Sequence, residues 1–199
     1  MSRKVDHEQR KREVVGKAIR LFSQVGYDNV SLQMVAAAAG VSRTVLYRYF
    51  CSKREVLEAA IGAITGVIER RCAEIMLSRD TNTRKLEGVC HTVVDVMFEN
   101  KEFLVAVFDF VVGMVRTGAS MDASIRRFTD GTRSVLRLLI EHALEKGEIP
   151  DILVVERISD AIYAQFESCA MRIVTGTEDN SKAAKIRFSD IIRALSLWK

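Results

Sequence analysis

Three observations predict an all-helical fold. The 199 residues include a single proline, Pro150. Leucine, isoleucine, alanine and the long charged residues recur at three- and four-residue spacing. Strand-type alternation of apolar and polar residues is scarce. A hydrophobic content of 48% excludes a disordered chain, and the length allows one large domain or two small ones with a real core.

The elements follow in order. A first helix is expected over residues 8–24, where Val14, Val15, Ala18, Ile19, Leu21, Phe22 and Val25 share one face and Gly26 provides the stop. Ser31 is placed as the N-cap of a short second helix, with Val30 and Val35 at hydrophobic-staple positions and an end near Ala39, before Gly40. Ser42 repeats the device with Val41 and Leu46, opening a third helix to about Phe50. Ser52 and Glu55 form a capping box that starts a long fourth helix reaching about Met76. Further helices are predicted over 83–99, 101–117, 121–146, 153–175 and 181–197, separated by "RDTN", Asn100, "TGAS", "KGEIPD" and "GTEDN". The helix over 101–117 is apolar on nearly every side, as expected of one buried at the centre of a bundle.

Charge is unevenly distributed. The net charge is +4, yet residues 1–54 hold eleven Lys/Arg against four Asp/Glu, a local +7 that leaves the rest at −3. A polyanion partner, nucleic acid or an anionic membrane, is the simplest reason for such an asymmetry.

Residues 31–50 read as helix, three-residue turn and helix, with Gly40 free to take positive φ and Ala36, Ala37 and Ala39 small enough for close crossing. On a helical wheel Arg43, Thr44, Tyr47 and Arg48 fall within an arc of about 140°, and Val45, Leu46, Tyr49 and Phe50 occupy the other side. The outward set suits a DNA major groove: arginine reads guanine bidentately, threonine bonds a base or touches a thymine methyl, and tyrosine donates to phosphate. The next helix begins with Ser52 and Lys53, whose free N–H groups and charge make an anion site.

Other classes are poorly supported. The sequence contains no G-x-S-x-G, no phosphate-cradling glycine loop and no metal-ligand spacing, so neither an enzyme nor a cofactor is expected. Cys51, Cys72, Cys90 and Cys169 lie far apart and read as small thiols in a reducing compartment. His7 and His142 read as solvent-facing. The charged opening "MSRKVDHEQRKRE" does not resemble a secretory signal, and the longest apolar runs are too short for a bilayer. A cytoplasmic protein with no membrane partner is expected.

The run "LFSQVGYDNVSLQMVAAAAGVSRTVLYRYFCSKREVL" resembles the N-terminal domain of the tetracycline-repressor (TetR) family of bacterial transcription regulators. It carries F-x-x-x-G-Y, then S-L-x-x-V-A-x-x-A-G-V-S, then L-Y-x-Y-F-x-S-K-x-x-x-L, in unbroken register. The resemblance implies about nine helices: a three-helix helix-turn-helix DNA-binding domain over 1–53, and a larger ligand-binding and dimerisation domain over 54–199. It implies a recognition helix from Ser42 to Tyr49, phosphate contacts by Tyr47 and Lys53, and backbone contacts by Ser31 and Gln33 from the second helix. Tyr49 stands where the family often has histidine. Thr44 and Val45 stand where it often has glycine and threonine, so the binding mode carries over and the operator sequence does not.

Helix-turn-helix dimers place two recognition helices about 34 Å apart on near-palindromic operators, so a homodimer on double-stranded DNA is expected. Its source would be the last two helices, where Ile158, Ala161, Ile162, Gln165, Phe166 and Cys169 line one and Phe188, Ile191, Ile192 and Leu195 the other; the family resemblance favours a four-helix contact there. Cys90, Met97, Phe108, Phe110, Met114 and Phe166 are candidates to line a cavity for a small, hydrophobic effector. Asp109, and the pair His91 and Asp95, invite a cation-binding reading, although solvated polar faces explain them as well. The expected function is a transcriptional repressor. The rival is a helical interaction or membrane-surface module that uses the basic N-terminal arm.

Overall fold

A computed structural model of the chain describes residues 2–118, 123–151 and 154–197, with the backbone alone for residues 2–6. Nine helices run through the described residues: α1 Ser2–Val25, α2 Leu32–Ala38, α3 Arg43–Tyr47, α4 Lys53–Leu77, α5 Asn82–Glu99, α6 Lys101–Arg116, α7 Ala123–Glu145, α8 Val155–Val174 and α9 Ser181–Leu197. No strand occurs among them, and none of these helices is long and apolar enough to cross a membrane. The expected helix starts at 121 and 153 lie outside the described residues.

Two helix ends differ from expectation. α1 begins at Ser2 rather than residue 8, because the charged run expected to form an arm is rich in Arg, Lys, Glu and Gln, all good helix formers. α3 ends at Tyr47 rather than Phe50. There the Arg48 N–H turns to the Val45 carbonyl at 3.2 Å and the Tyr49 N–H to the Leu46 carbonyl at 2.8 Å, a tightened last turn.

The serine caps hold as predicted. The hydroxyls of Ser31, Ser42 and Ser52 accept from the N–H groups of Met34 at 3.3 Å, Val45 at 3.2 Å and Glu55 at 3.2 Å. Glu55 reaches back to the N–H of Cys51 at 2.8 Å, one residue before the cap. Each device satisfies donors that a helix start leaves orphaned.

The chain divides into two compact units, Met1–Ile64 with Glu102–Ile125, and Thr65–Lys101 with Arg126–Lys199. The first therefore takes in more than residues 1–53, since α6 clusters with the N-terminal helices. Its core holds Val14, Ala18, Phe22, Tyr27, Val35, Leu46, Phe50, Leu57 and Phe110, all buried.

In the second unit α8 buries eight residues and α5 six, Leu86, Val89, Cys90, Val93, Val94 and Val96. α6, expected at the centre of the bundle, has only Ala106 and Phe110 buried. The apolar residues of α5 repeat at helical spacing and form one continuous face, whereas Val112 and Val115 of α6 are exposed. The polar side of α5 is not a solvated face either. His91 Nε2 lies 3.0 Å from the Ser189 hydroxyl, and Asp95 pairs with Lys185 at 2.6 Å, fixing α9 alongside. Phe166 of α8 stacks on Phe188 of α9 with ring centroids 4.6 Å apart, and Arg187 is ion-paired with the buried Glu178. Cys72, Cys90 and Cys169 are buried and Cys51 is exposed; burial pushes the Cys90 thiol far up, which leaves it inert.

Candidate nucleic-acid interface

The candidate interface is built on α2, its turn, α3 and the start of α4. α2 stops because Gly40 takes φ +65°, a conformation that costs glycine little and a β-carbon-bearing residue more. The Gly40 N–H returns to the Ala37 carbonyl at 3.1 Å and the Val41 N–H to the Ala36 carbonyl at 3.0 Å. This paired closure of the helix end sets the direction in which α3 departs. Of the three alanines expected at the crossing, Ala36 is buried beside the turn, Ala39 is half-buried and Ala37 is exposed.

α3 is anchored by Leu46, with no exposed surface, and by Phe50 just beyond it at 2%. Arg43, Thr44 and Arg48 are exposed, and Tyr47 is 43% exposed. The two sides of the wheel are thus separated as the sequence predicts. Gln33 of α2 is exposed as well. Among the described residues neither Arg43 nor Arg48 has a carboxylate within ion-pair distance, whereas Arg10, Arg20 and Arg54 pair with Glu13, Glu102 and Glu58. The recognition face therefore carries positive charge with no carboxylate paired to it among the described residues. The Arg43 guanidinium lies over the Tyr47 ring, 5.4 Å from its centroid.

Other expected site residues have intramolecular partners. Ser31 and Ser42 use their hydroxyls as caps. Tyr49 is half-buried and meets His7 edge-on at 4.6 Å, so α1 braces the far end of α3. Lys11 reinforces this, its ammonium 5.4 Å from the Phe50 ring. Lys53 donates to the carbonyls of Tyr27 at 2.7 Å and Asp28 at 3.0 Å and lies 4.5 Å above the Tyr27 ring. It clasps the α1–α2 loop.

That loop is also gripped by α6. Asp109 accepts from the Tyr27 N–H at 2.5 Å, Phe110 packs edge-on against Tyr27 at 4.8 Å, and a β-carbon at Gly113 would come within 3.0 Å of Asp28 Oδ2. Asp109 is thus engaged with the Tyr27 backbone and is not part of an idle polar face. Its position inside an apolar run is the one sequence signal of such a role.

The remaining candidates divide between the units. Phe108, Phe110 and Met114 belong to the first, and Cys90, Met97 and Phe166 to the second. Of the residues expected at a dimer contact, Ile162, Phe188 and Ile192 lie inside the second unit's own core. Ile158, Ala161, Ile191 and Leu195 instead border an open apolar groove of about 300 Å³, with Val154, Arg157 and one edge of Ile162. Gln165 is half-buried nearby on α8.

Known proteins share these features. The sequence profile of bacterial regulatory proteins of the tetR family matches residues 15–60, the stretch that holds the caps, the turn and α3. An uncharacterised HTH-type transcriptional regulator of Mycobacterium tuberculosis is 28% identical over 163 residues, covering 80% of this chain and 76% of that protein. A TetR-like transcriptional regulator from Rhodococcus sp. RHA1 superposes with a TM-score of 0.73 at 19% identity, over 96% of this chain and 97% of its own. The ketosteroid transcriptional regulator KstR2 of M. tuberculosis does so at 0.72 and 15%, over 94% and 95%. At such identities the two structures share the fold.

Proposed function

We propose that the chain, whose residues 15–60 match the tetR family of bacterial regulatory proteins, is a regulator of that type that binds a near-palindromic operator in double-stranded DNA as a homodimer, repressing transcription until a small hydrophobic effector releases it. The observation that carries the DNA-binding part is the recognition face of α3. Arg43, Thr44, Tyr47 and Arg48 are exposed on one side while Leu46 and Phe50 hold the other side in the core. Two arginines without carboxylate partners among the described residues give both phosphate attraction and base-edge donors. Ser31, Gln33, Ser42, Tyr49 and Lys53 flank that face; those whose side chains are engaged would meet the backbone through N–H groups or after rearrangement.

Dimerisation is supported by the apolar groove on α8 and α9, whose exposed Ala161 and half-buried Ile191 and Leu195 gain from being covered. The effector reading carries over the sequence expectation of an apolar ligand at Phe108, Phe110, Met114, Cys90, Met97 and Phe166, of which Phe110 is buried in the first unit and Cys90 and Phe166 in the second.

Selection of bound duplexes from a random pool tests the function. The expected result is one short near-palindromic site, retained at moderate salt in preference to anionic vesicles and released by apolar compounds. Equal retention of vesicles and duplex would favour the membrane-surface module instead, and release by strongly polar compounds alone would remove the hydrophobic effector.

A further inference from the structure

The cation–π contact within α3 bears on how a base is read. Arg43 is the first residue of α3 and Tyr47 stands one turn later, so both side chains lie on the groove-facing side. A long exposed arginine normally samples many rotamers, and fixing it in one pose on binding costs entropy. Here the guanidinium already lies over the phenol ring, and the helix that carries both residues is fixed by the wholly buried Leu46 and by the Ser42 cap at its start. Stacking leaves the in-plane N–H donors of the guanidinium free, in the fork that matches O6 and N7 of guanine.

We infer that Tyr47 is a positioning residue that holds Arg43 as a reader of one guanine in each half-site. This rests on the operator-binding reading above. The phenol hydroxyl remains available to a phosphate, so ring and hydroxyl do separate work: the ring sets discrimination and the hydroxyl adds affinity for any sequence.

The test uses the full chain, the duplex recovered from the random pool, and the same duplex with each guanine replaced in turn by 7-deazaguanine, which lacks N7. For the unaltered protein, one replacement per half-site should weaken binding about tenfold. That sensitivity should vanish in Arg43→Ala, persist in Tyr47→Phe and fall severalfold in Tyr47→Leu. Sensitivity unchanged in Arg43→Ala would overturn the assignment of Arg43. Equal sensitivity in Tyr47→Phe and Tyr47→Leu would overturn the positioning role, since a merely structural ring would lower affinity for modified and unmodified duplexes alike. Failure of the unaltered protein to select any duplex would instead overturn the operator-binding reading itself.

Discussion

Asp109 accepts a hydrogen bond from the backbone N–H of Tyr27 across 82 residues of sequence. The bond ties α6 to the turn between α1 and α2, and Phe110 adds ring contact to the same tyrosine. The turn that leads into the helix-turn-helix is therefore held from α6 as well as from its own neighbours.

Replacing Asp109 with alanine should cost roughly 1 kcal/mol, because a backbone donor loses a charged acceptor at a partly exposed site. Urea unfolding should show a lower midpoint at an unchanged slope. An unaltered midpoint would show that the bond adds nothing in solution.

Lys53 grips the same turn from α4 through the carbonyls of Tyr27 and Asp28. Lys53→Met keeps the apolar stem and removes the donor, so thermal stability without DNA should fall. A phosphate ligand would behave differently: stability would hold, and the salt dependence of DNA binding would drop by about one counterion.

Glu148 caps the start of α5. Its carboxylate accepts from the N–H groups of Asn82 at 3.0 Å and Thr83 at 2.8 Å, and from the side chains of both. Burial alone would raise its pKa, but these hydrogen bonds outweigh it and leave the group below the ordinary carboxylate value. A depressed folded pKa means that the stabilisation is complete above the unfolded value of about 4.3 and disappears as pH falls through the folded one. Glu148→Ala should thus destabilise the protein by roughly 1 kcal/mol at neutral pH, with a gap that closes in acid. A gap independent of pH would contradict the assignment.

Ala161 is exposed at the edge of the α8–α9 groove, so Ala161→Arg should leave the fold intact and place two buried charges in any symmetric contact there. Sedimentation should show a dimer for the unaltered chain and a monomer for the variant at micromolar concentration. A monomer in both cases would remove the dimer.

What is legible in the sequence is what short-range chemistry decides. Ser31, Ser42 and Ser52 cap helices three residues ahead of the N–H groups they satisfy, and the two sides of α3 are separated by a hundred degrees per residue, so the residue pattern alone reveals both. Partners distant in sequence leave no such mark. Lys53 and Asp109 meet a loop 26 and 82 residues away, and nothing local distinguishes a lysine that clasps carbonyls from one awaiting phosphate. The place of α6 is hidden too, because its apolar run includes Val112 and Val115, which are exposed, so residue type alone does not say which of its apolar residues are covered. His7 reads in sequence as an idle surface residue, yet the helical run of α1 brings it against Tyr49.

The central claim, that the exposed side of α3 is the DNA-binding surface, is tested most directly by the equilibrium affinity of Arg43→Ala for the selected duplex, measured by fluorescence anisotropy beside its urea unfolding midpoint. Affinity should fall by about tenfold or more with the midpoint unchanged. Undiminished affinity in a fully folded variant would contradict it.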